Sequence, residues 1–170
     1  MAQKALKLFQ SKTSKMVNLP DKNLLSQSMV QQMEHAMFKV IVVGYDGSDP
    51  SVRALEAACE LTKVHQSELH LVHTPELSSS QVTFGVDAPV DGRQAMQDAV
   101  GIGAAMGVTP ASTTIGTGTP CDEIMTIVDL YDGDLIVTGR RGLGGVSGLF
   151  MGSTSQKLAQ VAKCACMTVA

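Results

Sequence analysis

Asp134-Leu-Ile-Val-Thr138, running at once into Gly139-Arg-Arg-Gly142-Leu-Gly-Gly-Val-Ser-Gly-Leu-Phe-Met-Gly152-Ser153-Thr154, is the stretch that decides the fold of this 170-residue chain. Its first five residues form a short apolar run of the kind expected for a parallel strand buried on both faces. Gln156 to Lys163, beyond the glycines, reads as a helix. A glycine-dense loop between a strand and a helix exposes backbone N–H groups beside the positive end of a helix dipole, which is the physical recipe for holding phosphate. Arg140 and Arg141 add charge to that loop, and Ser153, Thr154 and Ser155 add hydroxyl donors.

Working outward, strands and helices alternate from Phe38 onward. Val40-Ile-Val-Val43 is a continuous β-branched run that predicts a buried strand. Asp49-Pro50 predicts a helix start with Asp49 as N-cap, and Val52, Leu55, Ala58, Cys59 and Thr62 form its inner stripe. Leu69 to His73 is a second strand. Thr74 to Val90 is Ser-rich with two prolines and reads as a loop. Asp91 then caps a helix to about Met106, Ala111 to Ile115 is a third strand, and Thr119-Pro120 opens another helix. Ile124, Ile127, Val128 and Tyr131 mark that helix's inner face. Leu135 to Val137 is the fourth strand and Met167 to Val169 the fifth. Five strands alternating with four helices predict an α/β fold: a parallel sheet joined by right-handed crossovers and covered on both faces.

Not every phosphate loop fits. The G-x-x-x-x-G-K-[S/T] pattern is absent, because no lysine precedes Ser153 or Thr154, and G-x-G-x-x-G fails because it meets Ser147. What does match is Gly139, two residues, Gly142, nine residues, then Gly152-Ser153. In its strand-loop-helix setting this spacing resembles the ATP-binding signature of the universal stress protein family. Phe38-Lys-Val-Ile-Val-Val-Gly-Tyr-Asp46-Gly-Ser-Asp-Pro-Ser51 resembles that family's first strand and turn, and Glu68-Leu-His-Leu-Val-His73 its second strand. The resemblance covers about residues 38 to 170. It implies a Rossmann-like fold akin to the adenine nucleotide alpha hydrolases, with strand order 3-2-1-4-5. Ligands of such sheets sit beyond the carboxyl ends of the strands where the order reverses. Asp46 and Gly139 should therefore face one crevice.

The candidate nucleotide-binding residues are Tyr45, Asp46, Thr74, Thr138, Gly139, Arg140, Gly142, Gly152, Ser153, Thr154 and Ser155; no catalytic or metal-ligating residue is assigned. Asp46 reads either as the cap of a turn or, as the resemblance implies, as the acceptor for ribose hydroxyls. The three glycines read either as sites of positive φ or as close approaches to phosphate, with the adjoining hydroxyls favouring phosphate. Arg140 and Arg141 read equally as phosphate-steering charges or as solvated side chains. His73 reads as a structural histidine rather than a base. Thr74 stands where the family commonly places valine near adenine, so its backbone is the candidate contact with the base.

Composition narrows the function. The hydrophobic fraction of 44% and charged fraction of 17% fit a globular protein, and no apolar run reaches the ~20 residues that span a membrane. A net charge of −3 argues against nucleic acid as the main ligand. That charge is uneven: residues 1–36 carry five lysines against Asp21 and Glu34, and the rest of the chain is acidic. Leu25, Met29, Met33 and Met37, with Val30 beside them, predict an amphipathic helix in an N-terminal extension, residues 1–37, that is helical or partly disordered. It reads either as packed on its own domain or as a docking helix for a protein partner or a membrane surface. The four cysteines form no zinc pattern and read as core or half-buried thiols in a reducing, cytoplasmic setting.

The expected function is an adenine-nucleotide-binding protein (ATP, ADP or AMP, with Mg²⁺) acting in stress response or signalling. It is expected to pair as a homodimer through the C-terminal edge strand. Two alternatives stand beside it: a protein-interaction module on the same fold with no nucleotide, and an enzyme of a related α/β fold, down to a slow ATP hydrolase. A phosphoryl-transfer or AMP-forming enzyme needs a base or nucleophile in the Thr74–Val90 loop, whereas slow ATP hydrolysis needs none, because clustered donors and a metal can stabilise phosphoryl charge.

Overall fold

The computed structural model describes residues 37–75, 92–141 and 151–170. The methionine stripe Leu25–Met33, the Asp91 cap and Gly142 lie outside the described residues, as does most of the Thr74–Val90 loop.

The elements run β1 (Val40–Gly44), α1 (Asp49–His65), β2 (Glu68–His73), α2 (Gly92–Ala105), β3 (Ser112–Ile115), α3 (Pro120–Tyr131), β4 (Leu135–Gly139), α4 (Ser153–Val161) and β5 (Ala165–Val169). The strands form one sheet in the order β3-β2-β1-β4-β5, every neighbouring pair parallel, as the family resemblance implied. β1 is central, with Val43 opposite Leu71 on one side and Val137 on the other.

Burial on both faces accounts for the unbroken apolar runs. Ile41, Val43, Leu69, Leu71, Leu135 and Val137 point to one face and pack on Ala54, Leu55, Ala58 and Cys59 of α1 and on Met96 and Ala99 of α2. The alternate residues Val42, Val72 and Ile136 point to the other and pack on Cys121, Ile124, Ile127 and Val128 of α3 and Leu158 of α4. Each fully buried Leu, Ile or Val contributes roughly 1.5–3 kcal/mol by leaving water, so these two layers supply the main drive to fold.

Several boundaries differ from expectation, each for a local reason. The N-cap of α1 is Ser48, not Asp49, because the Ser48 hydroxyl is the oxygen that accepts the Ser51 N–H, at 3.4 Å. Asp49 becomes the first helical residue, where its charge favours the positive end of the dipole. α4 starts at Ser153 rather than Gln156, with Gly152 as its cap. Thr119 caps α3 as expected, its Oγ1 accepting the Asp122 N–H at 3.3 Å. Tyr131 closes the inner stripe of α3 only in part: its ring stacks on buried His70, centroids 4.0 Å apart, while one edge stays exposed. Cys59 and Cys121 are buried and Cys164 is half-buried, but Cys166 is exposed, because β5 is an edge strand; all four are free thiols.

Candidate functional site

The sheet reverses its winding between β1 and β4. Gly44 and Thr138 are register partners at their carboxyl ends, so the chain leaves both strands at the same edge of the sheet. From β1 it crosses through α1 towards β2, and from β4 through α4 towards β5. The two departing loops diverge and leave a crevice, which is where open parallel sheets bind ligands. The Ser48 Oγ lies 3.5 Å from the Arg141 carbonyl, which brings the two loops together.

On the β1 side, Asp46-Gly47-Ser48 is a tight turn. Asp46 Oδ1 accepts the Ser48 N–H at 3.0 Å and the Ser48 Oγ–H at 2.6 Å. Gly47 lies at φ +83°, in the left-handed region that glycine enters without steric cost. Ser51 completes the knot, accepting the Asp46 N–H at 3.4 Å and donating to the Ser48 carbonyl at 2.8 Å. The turn-cap role of Asp46 is therefore real, and it also fixes a half-buried carboxylate at the mouth of the crevice.

On the β4 side, Arg140 holds both ends of the glycine-rich segment. Its N–H donates to Val169 O of β5 at 2.6 Å, and its carbonyl accepts the Gly152 N–H at 2.8 Å, bringing Arg140 and Gly152 together. Gly152 then begins α4 at φ −69°, ψ 156° with no side-chain cap hydrogen bond, whereas α1 and α3 are capped by Ser48 and Thr119. The first N–H groups of α4 thus lack the side-chain acceptor that satisfies the other two helices, at the point where an anion would be most favoured. Arg141, the residue after Arg140, is half-buried, and its Nε is buried without a hydrogen-bond partner among the described residues. A buried unsatisfied donor of a charged group is costly, typically ~1–3 kcal/mol or more, and a bound anion would relieve it.

The predicted site residues divide into those exposed or half-exposed at the ends of β4 and α4 and those that turn inward and hold these elements together. Ser153 is exposed, Thr154 half-buried and Arg140 exposed, all at the loop and first turn of α4. Ser155 and Thr138 instead turn inward. The Thr138 hydroxyl donates to Ser155 Oγ at 3.2 Å, and the Ser155 hydroxyl donates to the Gly139 carbonyl at 2.8 Å, fastening α4 to the end of β4. Tyr45 is 5% exposed and its ring belongs to the core, not the crevice; burial, then the charges of Asp98 and Asp46, push its hydroxyl pKa up. The Tyr45 carbonyl accepts from His73 Nδ1 at 2.8 Å, which fixes the tautomer of that buried ring and gives His73 the structural role expected of it. Thr74, also buried, ends the β2 side of the site.

The glycines need correction. Among the described glycines, positive φ occurs at Gly47 and Gly107, so neither Gly139 nor Gly152 is required for backbone strain. Gly139 is required by packing: a Cβ there would lie 2.8 Å from Pro50 C and Ser51 N, the backbone of α1's first turn. The sequence reading also missed Ser48, although Asp46-Gly-Ser48 is a turn signal that points to it. It missed Glu123 as well, whose carboxylate organises the loop after β3 by accepting the N–H groups of Thr117 and Gly118 at 3.1 and 2.7 Å. Among the described residues no group of three or more His, Cys, Asp or Glu side chains is placed to hold a metal ion, and no helix is long and apolar enough to cross a membrane.

Comparison with known proteins agrees with this fold. The sequence pattern of the universal stress protein family matches residues 37–170. A universal stress protein of Bacillus subtilis is 32% identical over 148 residues, covering 78% of this chain and 99% of the relative. One from Thermus aquaticus is 33% identical over 136 residues, with 78% and 99% covered. Among solved structures, a universal stress protein from Lactobacillus plantarum superposes with a TM-score of 0.66 at 21% identity, covering 80% of this chain and all of the other. Another, a universal stress protein in complex with cAMP, gives a TM-score of 0.61 at 25% identity, with 78% and 97% covered. The chain belongs to the universal stress protein family.

Proposed function

We propose that this protein binds an adenine nucleotide (ATP, with ADP and AMP as its products or substitutes) in the crevice between the β1 and β4 loops, and acts through that occupancy in stress response or signalling in the cytoplasm. The observations that carry the reading are the N-terminus of α4, which has no side-chain cap, at the reversal point of the sheet, and the Nε of Arg141, which is buried with no hydrogen-bond partner among the described residues. Helix N–H groups and a guanidinium suit phosphate. The solved relative with cAMP supports adenine as the base.

In this reading Gly152, Ser153 and Thr154 offer N–H and hydroxyl groups to the phosphates, with Arg140 and Arg141 supplying charge and Gly142 belonging to the same loop. Asp46 accepts from the ribose hydroxyls. Thr74 meets the base through its backbone. Tyr45, Thr138, Gly139 and Ser155 act from behind, by holding His73, α4 and α1 in place. Mg²⁺ accompanies the nucleotide with phosphate oxygens and water as its ligands, in keeping with its usual preference. Residues 38–170 form the binding domain, two copies pair through β5, and residues 1–37 are an extension available to a protein partner. No nucleic acid is involved.

The test separates sugar from phosphate. Asp46→Ala should weaken ATP and AMP while leaving pyrophosphate affinity nearly unchanged, and Asp46→Asn, which keeps the acceptor to Ser48, should fall between them. Gly152→Val should weaken all three by filling the space before α4, since valine tolerates φ −69°. Titration calorimetry that shows wild-type nucleotide affinity in folded Asp46→Ala and Gly152→Val proteins would sink the assignment.

A further inference from the structure

The loop between β3 and α3, Gly116-Thr-Gly-Thr119, is moulded around one carboxylate. Glu123 Oε1 accepts the Thr117 N–H at 3.1 Å and the Gly118 N–H at 2.7 Å. A Cβ on Gly116 would lie 2.5 Å from Glu123 Cδ, and one on Gly118 would lie 2.8 Å from Glu123 Oε1. Neither glycine has positive φ, so a side chain at either position would meet the Glu123 carboxylate rather than backbone strain, and would displace it from the loop.

Three contacts place this loop along the base side of the crevice. The Gly116 N–H donates to the His73 carbonyl at 2.8 Å, so the loop begins beside Thr74. His73 and Ile115 are register partners at the ends of β2 and β3. Ile124, the neighbour of Glu123, reaches across to β1, where a Cβ on Gly44 would lie 2.7 Å from its Cδ1. Adjacent strands lie ~4.8 Å apart, so the β3 loop is about 10 Å from the end of β1 and next in line after Thr74.

We infer that Glu123 is a positioning residue that sets base preference: by holding the Thr117 and Gly118 N–H groups, it leaves the β3–α3 loop to present carbonyl oxygens towards the base, which accept from an exocyclic amine and reject a base carbonyl. The inference rests on the nucleotide reading above. Adenine carries such an amine, whereas hypoxanthine and guanine place a carbonyl oxygen at the same ring position. A site with acceptors only leaves the two oxygens of a mismatched pair facing each other, unpaired and desolvated. Freed from Glu123, the Thr117 and Gly118 N–H groups can turn to a ligand and donate to a base carbonyl oxygen.

The experiment compares ATP, inosine triphosphate and pyrophosphate on the full chain, its Glu123→Ala variant and its Glu123→Gln variant, with amide hydrogen exchange at Thr117 and Gly118. Wild type should prefer ATP over inosine triphosphate by roughly 3- to 10-fold, the range of one ordinary hydrogen bond. Glu123→Ala should lose that preference with pyrophosphate affinity unchanged and exchange at both amides accelerated. Glu123→Gln retains an acceptor oxygen and should keep both the preference and the protection. A wild-type protein that binds ATP and inosine triphosphate equally overturns the inference, as does a folded Glu123→Ala protein with fast amides and an unchanged preference. A wild type that binds pyrophosphate but neither nucleoside triphosphate overturns the nucleotide reading itself, and the inference with it.

Discussion

Gly139→Ala separates a packing glycine from a ligand-contacting one. The new Cβ would sit 2.8 Å from Pro50 C and Ser51 N and 3.0 Å from Pro50 Cβ. Ordinary contact begins at 3.4 Å, so α1 or the end of β4 must retreat by about 0.6 Å. No flexible side chain can absorb this, because all three atoms lie in the first turn of a 17-residue helix tied down by Ser48 and Ser51, and two of them are backbone. Overpacking of this kind costs ~1–3 kcal/mol. Replacing glycine by alanine at an unstrained φ recovers ~0.4–1 kcal/mol from the unfolded chain. The clash wins, and the net loss is about 1–2 kcal/mol, a fall in Tm of roughly 4–7 °C for a domain of this size. Thermal and urea denaturation without nucleotide read it directly. A variant with the wild-type melting temperature and impaired nucleotide binding would refute the packing argument and return Gly139 to the phosphate loop.

The remaining predictions concern charge, the domain boundary and assembly. Burial lowers the pKa of His70 below its ordinary value of about 6.5 despite the opposing pull of Glu68, so the unfolded chain binds the proton more readily and stability should fall as pH drops below ~6.5. In urea titrations His70→Gln should flatten that dependence; equal slopes for both proteins would show that other groups carry it. Removal of residues 1–36 should leave a cooperative thermal transition and nucleotide binding intact, since the family match begins at residue 37; loss of the transition would place the methionine stripe in the core. In β5, Ala165 N donates to Asp134 O and Val169 O accepts from Arg140 N, so these residues face β4 and the alternation turns the backbone of Thr168 to the free edge. Thr168→Pro should therefore abolish pairing between copies without breaking the β4 ladder, and light scattering that shows a wild-type monomer at high micromolar concentration would contradict the dimer.

The fold was legible because each layer leaves its own periodic mark. Val40–Val43 and Leu135–Val137 are apolar without a break, as only strands covered on both faces can be, and the Asp-Pro and Thr-Pro pairs mark two helix starts within a residue. The start of α4 was harder to place, because Gly152 carries no side chain to announce itself as a cap. The inward turn of two site residues could have been read from period alone. Tyr45 continues the alternation of Ile41 and Val43, and Ser155 stands one helical turn before Leu158, so both share a face with core residues. The role of Gly139 could not, because it depends on Pro50 and Ser51, which approach only after α1 docks on the sheet. The partnership of Glu123 with Gly116 and Gly118 is local, but nothing in the spacing distinguishes a glutamate that caps its own loop from one left in solvent.

The central claim is occupancy of the crevice by an adenine nucleotide, and mass spectrometry of the small molecules released from gently purified full-length protein tests it most directly. The account predicts ATP, ADP or AMP in a ratio to protein that falls sharply in Gly152→Val. Protein that is folded, carries no nucleotide on release and takes up none of the three when they are added would contradict it.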